Sequence, residues 1–395
     1  MADILLKPDR DKSVRRKHPW IFSGAVQKLY GEPRLGDTVK IISSNGNELG
    51  YAAYSPNSSI RARMWNFNPN QQIDDELIFN KMRIAINKRK NLYLLDNLNT
   101  ACRLINGESD GLPGLIVDIY TDVIVVQILS AGPEHWKEVI VNNLIKITHK
   151  QIIYERSDVE VRKLEGLTPQ EGIISGKVPE KPIEIFENGL KFLVDIVNGQ
   201  KTGFYLDQRE NRNTIKKYVQ DANVLNCFSY TGGFTVYALI GDAAHVTSID
   251  SSREAIDNAK INVDINHLSE TKNTWIVGDV FEELRLFRDK GVSFDMIILD
   301  PPKFAPTAAQ VRSASRGYKD INLLAFKLLN PRGTLTTFSC SGGLNRLLFQ
   351  KIVADAAIDA GVDAQIIEVL SQGKDHPIGL NFPEGAYLKG LICKI

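Results

Sequence analysis

Val224-Leu-Asn-Cys-Phe-Ser-Tyr-Thr-Gly-Gly-Phe234 decides the fold. A short strand pattern runs directly into a Gly-rich turn, and a helical pattern starts at Gly233. The same unit recurs down the chain. Val246-Thr-Ser-Ile249, Trp275-Ile-Val277, Phe294-Asp-Met-Ile-Ile-Leu299 and Gly333-Thr-Leu-Thr-Thr-Phe338 read as further strands. Helices are expected to start near Ser252, Val280, Ala308 and Leu344. Strand–helix alternation of this kind predicts an α/β fold with a doubly wound, mostly parallel sheet. Ligands of such sheets bind beyond the carboxyl ends of the strands.

The strand ends carry polar residues. The first runs into Phe228, Ser229, Tyr230, Thr231 and Gly232, where glycine lets the backbone approach a ligand closely. The dinucleotide fingerprint GxGxxG is absent, so no pyrophosphate cradle is expected. The second ends in Asp250-Ser251, and a carboxylate there can accept hydrogen bonds from a ribose diol. The third ends in Gly278-Asp279-Val280. Either acid also reads as a helix N-cap, Asp279 more so. Together they outline a nucleoside-shaped slot. The fourth strand ends in Asp300-Pro-Pro-Lys-Phe304, where two prolines stiffen the turn and hold Asp300 toward the cleft. The fifth ends in Ser339-Cys340-Ser341, a thiol at the same rim and ahead of a helix N-terminus, which favours thiolate. Nucleophile and structural cysteine remain equal readings for Cys340. Cys102, Cys227 and Cys393 read as packing residues.

Outward from this core, residues 1–70 read as short strands (Thr38–Ile42, Leu49–Tyr54, Ile60–Trp65) of a small β-barrel, and 73–95 as a helix. The stretch 98–190 mixes strands at Leu115–Ile119 and Val123–Ile128 with a helix near 134–147, and Lys177–Pro182 is a boundary. The 395 residues are too many for one ordinary core. At 43% hydrophobic and 24% charged, the chain is not disordered. No apolar run approaches a membrane span and no signal peptide is visible. Four scattered cysteines without a CxxC pair argue against a zinc ribbon or disulfide framework and fit the cytoplasm.

The net charge of +1 hides an asymmetry. Residues 1–90 hold 16 Lys and Arg against 9 Asp and Glu, a net +7, and the remainder is −6. The densest basic run, Arg10 to Lys17 with Arg15 and Arg16, is followed by His18-Pro-Trp20-Ile-Phe22. Cations that meet phosphates beside rings that stack on bases suit RNA. A solvated charged face is the plainer alternative, and Lys88-Arg-Lys90 reads as the charged end of a helix.

Several stretches resemble class I S-adenosylmethionine-dependent methyltransferases, whose catalytic domain is Rossmann-like. They are closest to the bacterial large-subunit ribosomal RNA cytosine-5 methyltransferases with an N-terminal PUA domain. These stretches are Arg16–Gly24, Gly36–Val39, Lys201–Asn211, Phe228–Phe234, Asp300–Phe304, Ser339–Ser341 and Asn381–Gly390. The resemblance implies a PUA-like RNA-binding domain at 1–75, a small α+β domain at 76–185 and a methyltransferase domain at 186–395. It implies that Phe228–Gly232 hold the methionine part of S-adenosylmethionine. Asp250, with Ser251, would bind the ribose, and Asp279, with Val280, would lie near the adenine. Asp207, Gln208 and Arg209 would close the site beside Asp300. Cys340 would be the nucleophile, and Arg15, Arg16, Lys17 and Trp20 would touch RNA.

The chemistry agrees. C5 of cytosine is a poor nucleophile until a thiolate adds at C6, and a base must later remove the C5 proton. Asp300 is the best-placed acid for handling protons or hydrogen-bonding the cytosine. The second cysteine that many RNA cytosine-5 methyltransferases have beside the fourth strand is missing. His376 and Glu384 are candidates for the base, although a packed tail with a surface His is the plainer reading of both. Two alternatives stay open: an N-methyltransferase acting on an RNA base, and a non-catalytic RNA-binding ribosome assembly factor. A nicotinamide dehydrogenase is a poor fourth without the phosphate-binding turn. The target nucleotide is open, and so is the oligomeric state, a homodimer included.

Overall fold

From residue 223 onward the alternation builds one seven-stranded sheet in the computed structural model of the chain, which describes residues 2–92, 94–304 and 310–395. Its strands are β1 (Asn223–Cys227), β2 (His245–Asp250), β3 (Asn273–Val277), β4 (Phe294–Leu299), β5 (Leu329–Ser339), β6 (Gln365–Ser371) and β7 (Lys389–Lys394). Their order is β3-β2-β1-β4-β5-β7-β6. The first five are parallel, and β7 is antiparallel to both β5 and β6. The core of this sheet is apolar on both faces, as parallel strands covered by helices require: Leu225, Ile297, Ile298 and Leu335 are fully buried. The two antiparallel strands carry only a 3-10 turn at Pro383–Gly385 and no α-helix between them, and escaped the alternation pattern.

Register places the functional turns. Cys227 pairs with both Ile249 and Leu299, Leu299 pairs with Thr337, and Asp250 pairs with Val277. Five strands therefore end at one rim, and the order reverses between β1 and β4, where such sheets form their crevice. The covering helices include Gly233–Ile240, Arg253–Asp264, Val280–Asp289, Val311–Leu328 and Arg346–Ala360. Ser252, Asp279 and Asn345 cap three of them, each accepting a backbone N–H from the first turn. The start expected near Ala308 lies outside the described residues. The start expected at Leu344 moves to Arg346 because Asn345 supplies the cap.

By contact density the chain forms two units. One comprises Met1–Gly189, Val194–Leu206 and Lys374–Gly385; the other comprises Leu190–Leu193, Asp207–Gly373 and Ala386–Ile395. The seven-stranded sheet belongs to the second. The first opens with a six-stranded sheet ordered Trp20–Phe22, Ile60–Asn66, Glu48–Tyr54, Thr38–Ile42, Ala2–Leu6, Val26–Tyr30. Three of these strands match the sequence reading; those starting at Ala2, Trp20 and Val26 were not visible in it. A five-stranded sheet follows, ordered Gln170–Ser175, Ile152–Ser157, Val123–Ile128, Leu115–Tyr120, Ala101–Asn106. Helices Asp75–Asn91 and Lys137–Thr148 accompany it. The two sheets share a core, since Tyr51, Ala53 and Trp65 pack in one cluster with Ile78, Leu115 and Ile140.

Arg89 departs from the sequence reading. It is not part of a solvated helix end. It is 1% exposed and grips both oxygens of Asp110 at 2.8 Å, and it also donates to the carbonyls of Arg103 and Asp375. Arg89→Leu is expected to destabilise the protein by about 3–5 kcal/mol, because Asp110 is left as an uncompensated buried charge. Chemical denaturation of the whole chain measures it; a shift below about 1 kcal/mol would mean that water replaces the guanidinium.

Candidate active site

The turn after β1 is strained and clamped. Phe228 and Tyr230 have left-handed φ values of 60° and 47°, which non-glycine residues adopt at a cost. Gly232 follows with φ 76°, and a Cβ there would lie 2.8 Å from that of Ala259, so both conformation and space demand glycine. Four bonds hold this shape. Ser229 N donates to Ile249 O at 2.9 Å and Gly232 N to Ser229 O at 2.9 Å. Tyr230 N donates to Asp250 Oδ2 at 2.8 Å, and Asn262 donates to Thr231 O at 2.9 Å. Inside this frame the hydroxyls of Ser229 and Thr231 are buried and bond to nothing among the described residues. Two orphaned hydroxyls in a strained turn form a cradle for a polar ligand.

Asp250 fixes the neighbouring wall. Its Oδ2 takes the Tyr230 N–H and its Oδ1 takes that of Ser252 at 2.9 Å, which leaves each oxygen one further lone pair. Ser251 is exposed beside it, and the capping of the next helix falls to Ser252. Asp279 caps its helix by accepting from Glu282 N at 3.1 Å and is exposed. Val280 buries its side chain in the core, so only its main chain could face a ligand. The cradle and Asp250 fit the polar amino-acid end and the ribose of S-adenosylmethionine, since orphaned hydroxyls and free carboxylate lone pairs are what those groups hydrogen-bond.

Asp207, Gln208, Arg209 and Asp300 come together. Gln208 Nε2 donates to Asp300 Oδ2 at 3.0 Å, and its own Oε1 is held by Asn211 at 2.6 Å. Tyr387 donates to Asp207 Oδ2 at 2.6 Å. Arg209 is buried, and so is Arg212, which packs against the Gly233 end of the turn. Although the Asp300 residue keeps some exposure, its carboxyl lies deep among protein atoms. Desolvation, and then the negative charge of Asp207, pushes it up to about 7; Gln208 and Arg212 oppose the shift.

Cys340 is the one partly exposed cysteine; Cys102, Cys227 and Cys393 are buried. Burial pushes the thiol of Cys393 up to about 12 and that of Cys227 further still, which makes both poor nucleophiles. Cys340 Sγ lies 3.9 Å from Pro301 O, so the thiol and the Asp300 turn share the rim. The next helix starts six residues later behind its own Asn345 cap, so Cys340 does not sit in its first turn. A cation missed by the sequence reading stands near the thiol instead. Lys389 of β7 is 4% exposed and donates to Ser341 O at 2.6 Å and Tyr387 O at 2.7 Å. Its only sequence signal was its place in Asn381–Gly390.

In the first unit, Arg15, Arg16 and Lys17 are all exposed around the short helix Lys12–Arg15. Arg15 pairs with Asp11 at 2.7 Å and Lys17 lies over the Phe67 ring. Trp20 is half-buried, gives its indole N–H to Glu108 at 2.8 Å and meets Phe382 edge-on at 4.9 Å between centroids. With Arg10, Ser13 and the half-exposed Phe22 it lines a cavity of about 250 Å³. His376 is buried against Asp375 at 2.8 Å, and Glu384 pairs with His18 at 3.2 Å. The packed tail with a surface histidine is therefore corrected: His376 is buried, and it is Glu384 that is exposed.

Residues 170–356 match the S-adenosylmethionine-dependent methyltransferase family and residues 4–67 the PUA-like domain. The chain is 52% identical over 392 residues to ribosomal RNA large subunit methyltransferase I of Pseudoalteromonas translucida, covering 99% of each. It is 50% identical over 394 residues to the protein of that name from Vibrio cholerae, again covering 99% of each. A candidate S-adenosylmethionine-dependent methyltransferase from Streptococcus mutans superposes at a TM-score of 0.86. A candidate methyltransferase solved as a complex with SAH superposes at 0.87. Both are 22% identical and cover 100% of both chains. At that identity they show the fold: a Rossmann-like methyltransferase domain and an N-terminal PUA-like domain, as the motifs implied.

Proposed function

The chain belongs to the ribosomal RNA large subunit methyltransferase I family, and from that premise we infer that it methylates C5 of a cytosine in large-subunit ribosomal RNA through a bond between Cys340 and C6. S-adenosylmethionine is its cofactor. The observation that carries the cytosine reading is the accessible thiol of Cys340 beside the Asp300 turn. An exocyclic amine already has a nucleophilic lone pair and needs no thiol.

Ser229, Thr231 and the main chain of Phe228–Gly232 would hold the methionine end of the cofactor. Asp250 and Ser251 would hold the ribose, and Asp279 and Val280 would border the adenine. Asp207, Gln208 and Arg209 close the site. When bound there, S-adenosylmethionine supplies the electrophilic methyl group that C5 takes. The Cys340 thiolate adds to C6 and makes C5 enamine-like. Protonated Asp300 donates from Oδ1 to N3 of the base, since Oδ2 is occupied by Gln208. This bond draws charge away from the ring as sulfur adds. A general base then takes the C5 proton, the C–H electron pair re-forms the C5–C6 double bond, and the C6–S bond breaks with its pair on sulfur, so the thiolate leaves.

Residues 1–75 are read as the RNA-holding domain, 76–185 as the small domain behind it and 186–395 as the catalytic domain. The protein would work in the cytoplasm, and among the described residues no helix is long and apolar enough to cross a membrane. A base inside a helix must be flipped out to reach the cleft. Changing Arg15, Arg16 and Lys17 together to Gln is expected to weaken RNA binding at least tenfold. It should lower the slope of log affinity against log salt by about 2 and leave cofactor affinity unchanged. Unchanged RNA affinity would mean these exposed cations only solvate the surface. The function itself is tested by mass spectrometry of ribosomal RNA from cells with and without the gene. Loss of one 5-methylcytosine is expected. Loss of a methylated amine would favour the N-methyltransferase reading, and no change the assembly-factor reading.

A further inference from the structure

The chemistry around Cys340 leaves one question open, namely what draws the proton from the thiol. The helix that follows is too far along the chain to polarise it, and its first-turn N–H groups include one already taken by Asn345. What surrounds the sulfur comes from four other elements. Pro301 O, next to Asp300, lies 3.9 Å away on the turn after β4. Tyr318, on the helix Val311–Leu328, hydrogen-bonds Ser341 Oγ at 3.1 Å and feels the charge of Cys340. Lys303 and Arg346 are exposed cations, on the Asp300 turn and at the start of the last helix, and both act on Lys389. Lys389 itself stands on β7, where its Cα faces that of Ser339 across the ladder.

Lys389 is unusual for a lysine. It is 4% exposed, yet its Nζ reaches two main-chain carbonyls and, among the described residues, no carboxylate. A buried ammonium held by carbonyls alone is poorly compensated. One of those carbonyls belongs to Ser341, the residue directly after the thiol. The strand pairing brings Nζ along the Ser339–Ser341 segment, and a third position on nitrogen remains after the two carbonyl bonds. The negative charge that a Cys340 thiolate would carry stabilises the charged lysine, while burial, Lys303 and Arg346 work against it and lower Lys389 to about 8. The lysine is thus poised to exchange a proton in the range where a thiol titrates.

We propose that Lys389 is the positioning residue that takes the proton of Cys340 and keeps its sulfur as a thiolate facing an ammonium. The proton passes from Sγ to Nζ, the S–H electron pair stays on sulfur, and no other bond changes. When sulfur later leaves C6 it returns to the same ammonium. The use of this thiolate on cytosine rests on the function inferred above, but the ionisation does not.

The test is therefore made on the thiol without RNA. The difference in thiolate absorbance near 240 nm between the wild type and Cys340→Ala, followed against pH, is expected to give a midpoint at least one pH unit below the ordinary cysteine value of about 8.5. Iodoacetamide should alkylate Cys340 about tenfold more slowly at pH 7 in Lys389→Met, whereas Lys389→Arg, which keeps a cation facing the sulfur but cannot take the proton, should restore most of the rate with the proton passing to water instead. A wild-type midpoint at or above the ordinary value overturns the proposal even if Lys389→Met fails to fold. Identical alkylation profiles in the wild type and a folded Lys389→Met overturn it as well. A low midpoint together with no adduct on 5-fluorocytosine RNA would leave the ion pair standing and defeat the cytosine reading alone.

Discussion

Cys340→Ala is expected to abolish methyl transfer, with a loss of about 10⁴-fold or more, while S-adenosylmethionine binds as before. The argument begins with the base. C5 of cytosine lacks a lone pair, and only addition at C6 gives it carbanion character. The other three cysteines cannot substitute, because all are buried and burial holds Cys227 and Cys393 in the thiol form. The cradle proposed for the cofactor is built from the turns after β1 and β2, so removing a sulfur at the end of β5 is expected to leave it unchanged. RNA containing 5-fluorocytosine should form a covalent adduct with the wild type and none with the variant, since fluorine at C5 cannot leave as a proton. Turnover by Cys340→Ala within tenfold of the wild type would point to a nitrogen target.

Asp300→Ala is expected to lower kcat by about 10²–10⁴-fold, the range of a positioned general acid. The pH dependence distinguishes this role from a packing role. With its carboxyl raised to about 7, Asp300 is protonated below that pH and loses its proton as pH rises through it. A reaction that needs the protonated form therefore falls on the alkaline side of about 7, and Asp300→Asn should remove that limb. The same shift acts on stability. The folded protein holds this proton more tightly than the unfolded chain, whose carboxyl titrates near 3.8. Stability from this group is therefore full below about 4 and declines as pH rises through about 7. Asp300→Asn should flatten that part of the stability profile. If the alkaline limb persists in Asp300→Asn, another group sets it and the assignment fails.

The parallel strands were legible because burial on both faces makes them short apolar runs, and two of the helices between them start on caps written in the sequence, Ser252 and Asp279. Asp250 and Gly232 were legible for a related reason: a residue directly after a parallel strand lies at the rim. The antiparallel pair β6 and β7 was not, because no crossover helix separates them and their edge strand mixes polar and exposed apolar residues. Arg89 looked like a solvated cation, since nothing in a Lys-Arg-Lys run shows that Asp110, 21 residues later, will enclose the middle side chain. Asp279 could be read two ways, and its cap bond to Glu282 shows only one of them in the protein itself.

The sequence by itself determined the order of strands and helices and which residues end them, because those are local choices of periodicity, capping and turn chemistry. It also determined that the basic charge lies at the front of the chain. Only the tertiary structure decided which of those ends meet. Packing of the 206–208 turn against the end of β4 brought Asp300 beside Gln208 and Asp207, and the insertion of β7 beside β5 carried Lys389 to the carbonyl next to Cys340, 48 residues away. Desolvation belongs to the second kind of information. A carboxyl raised to about 7 and an ammonium lowered to about 8 owe their shifts to packing that residues distant in sequence create together.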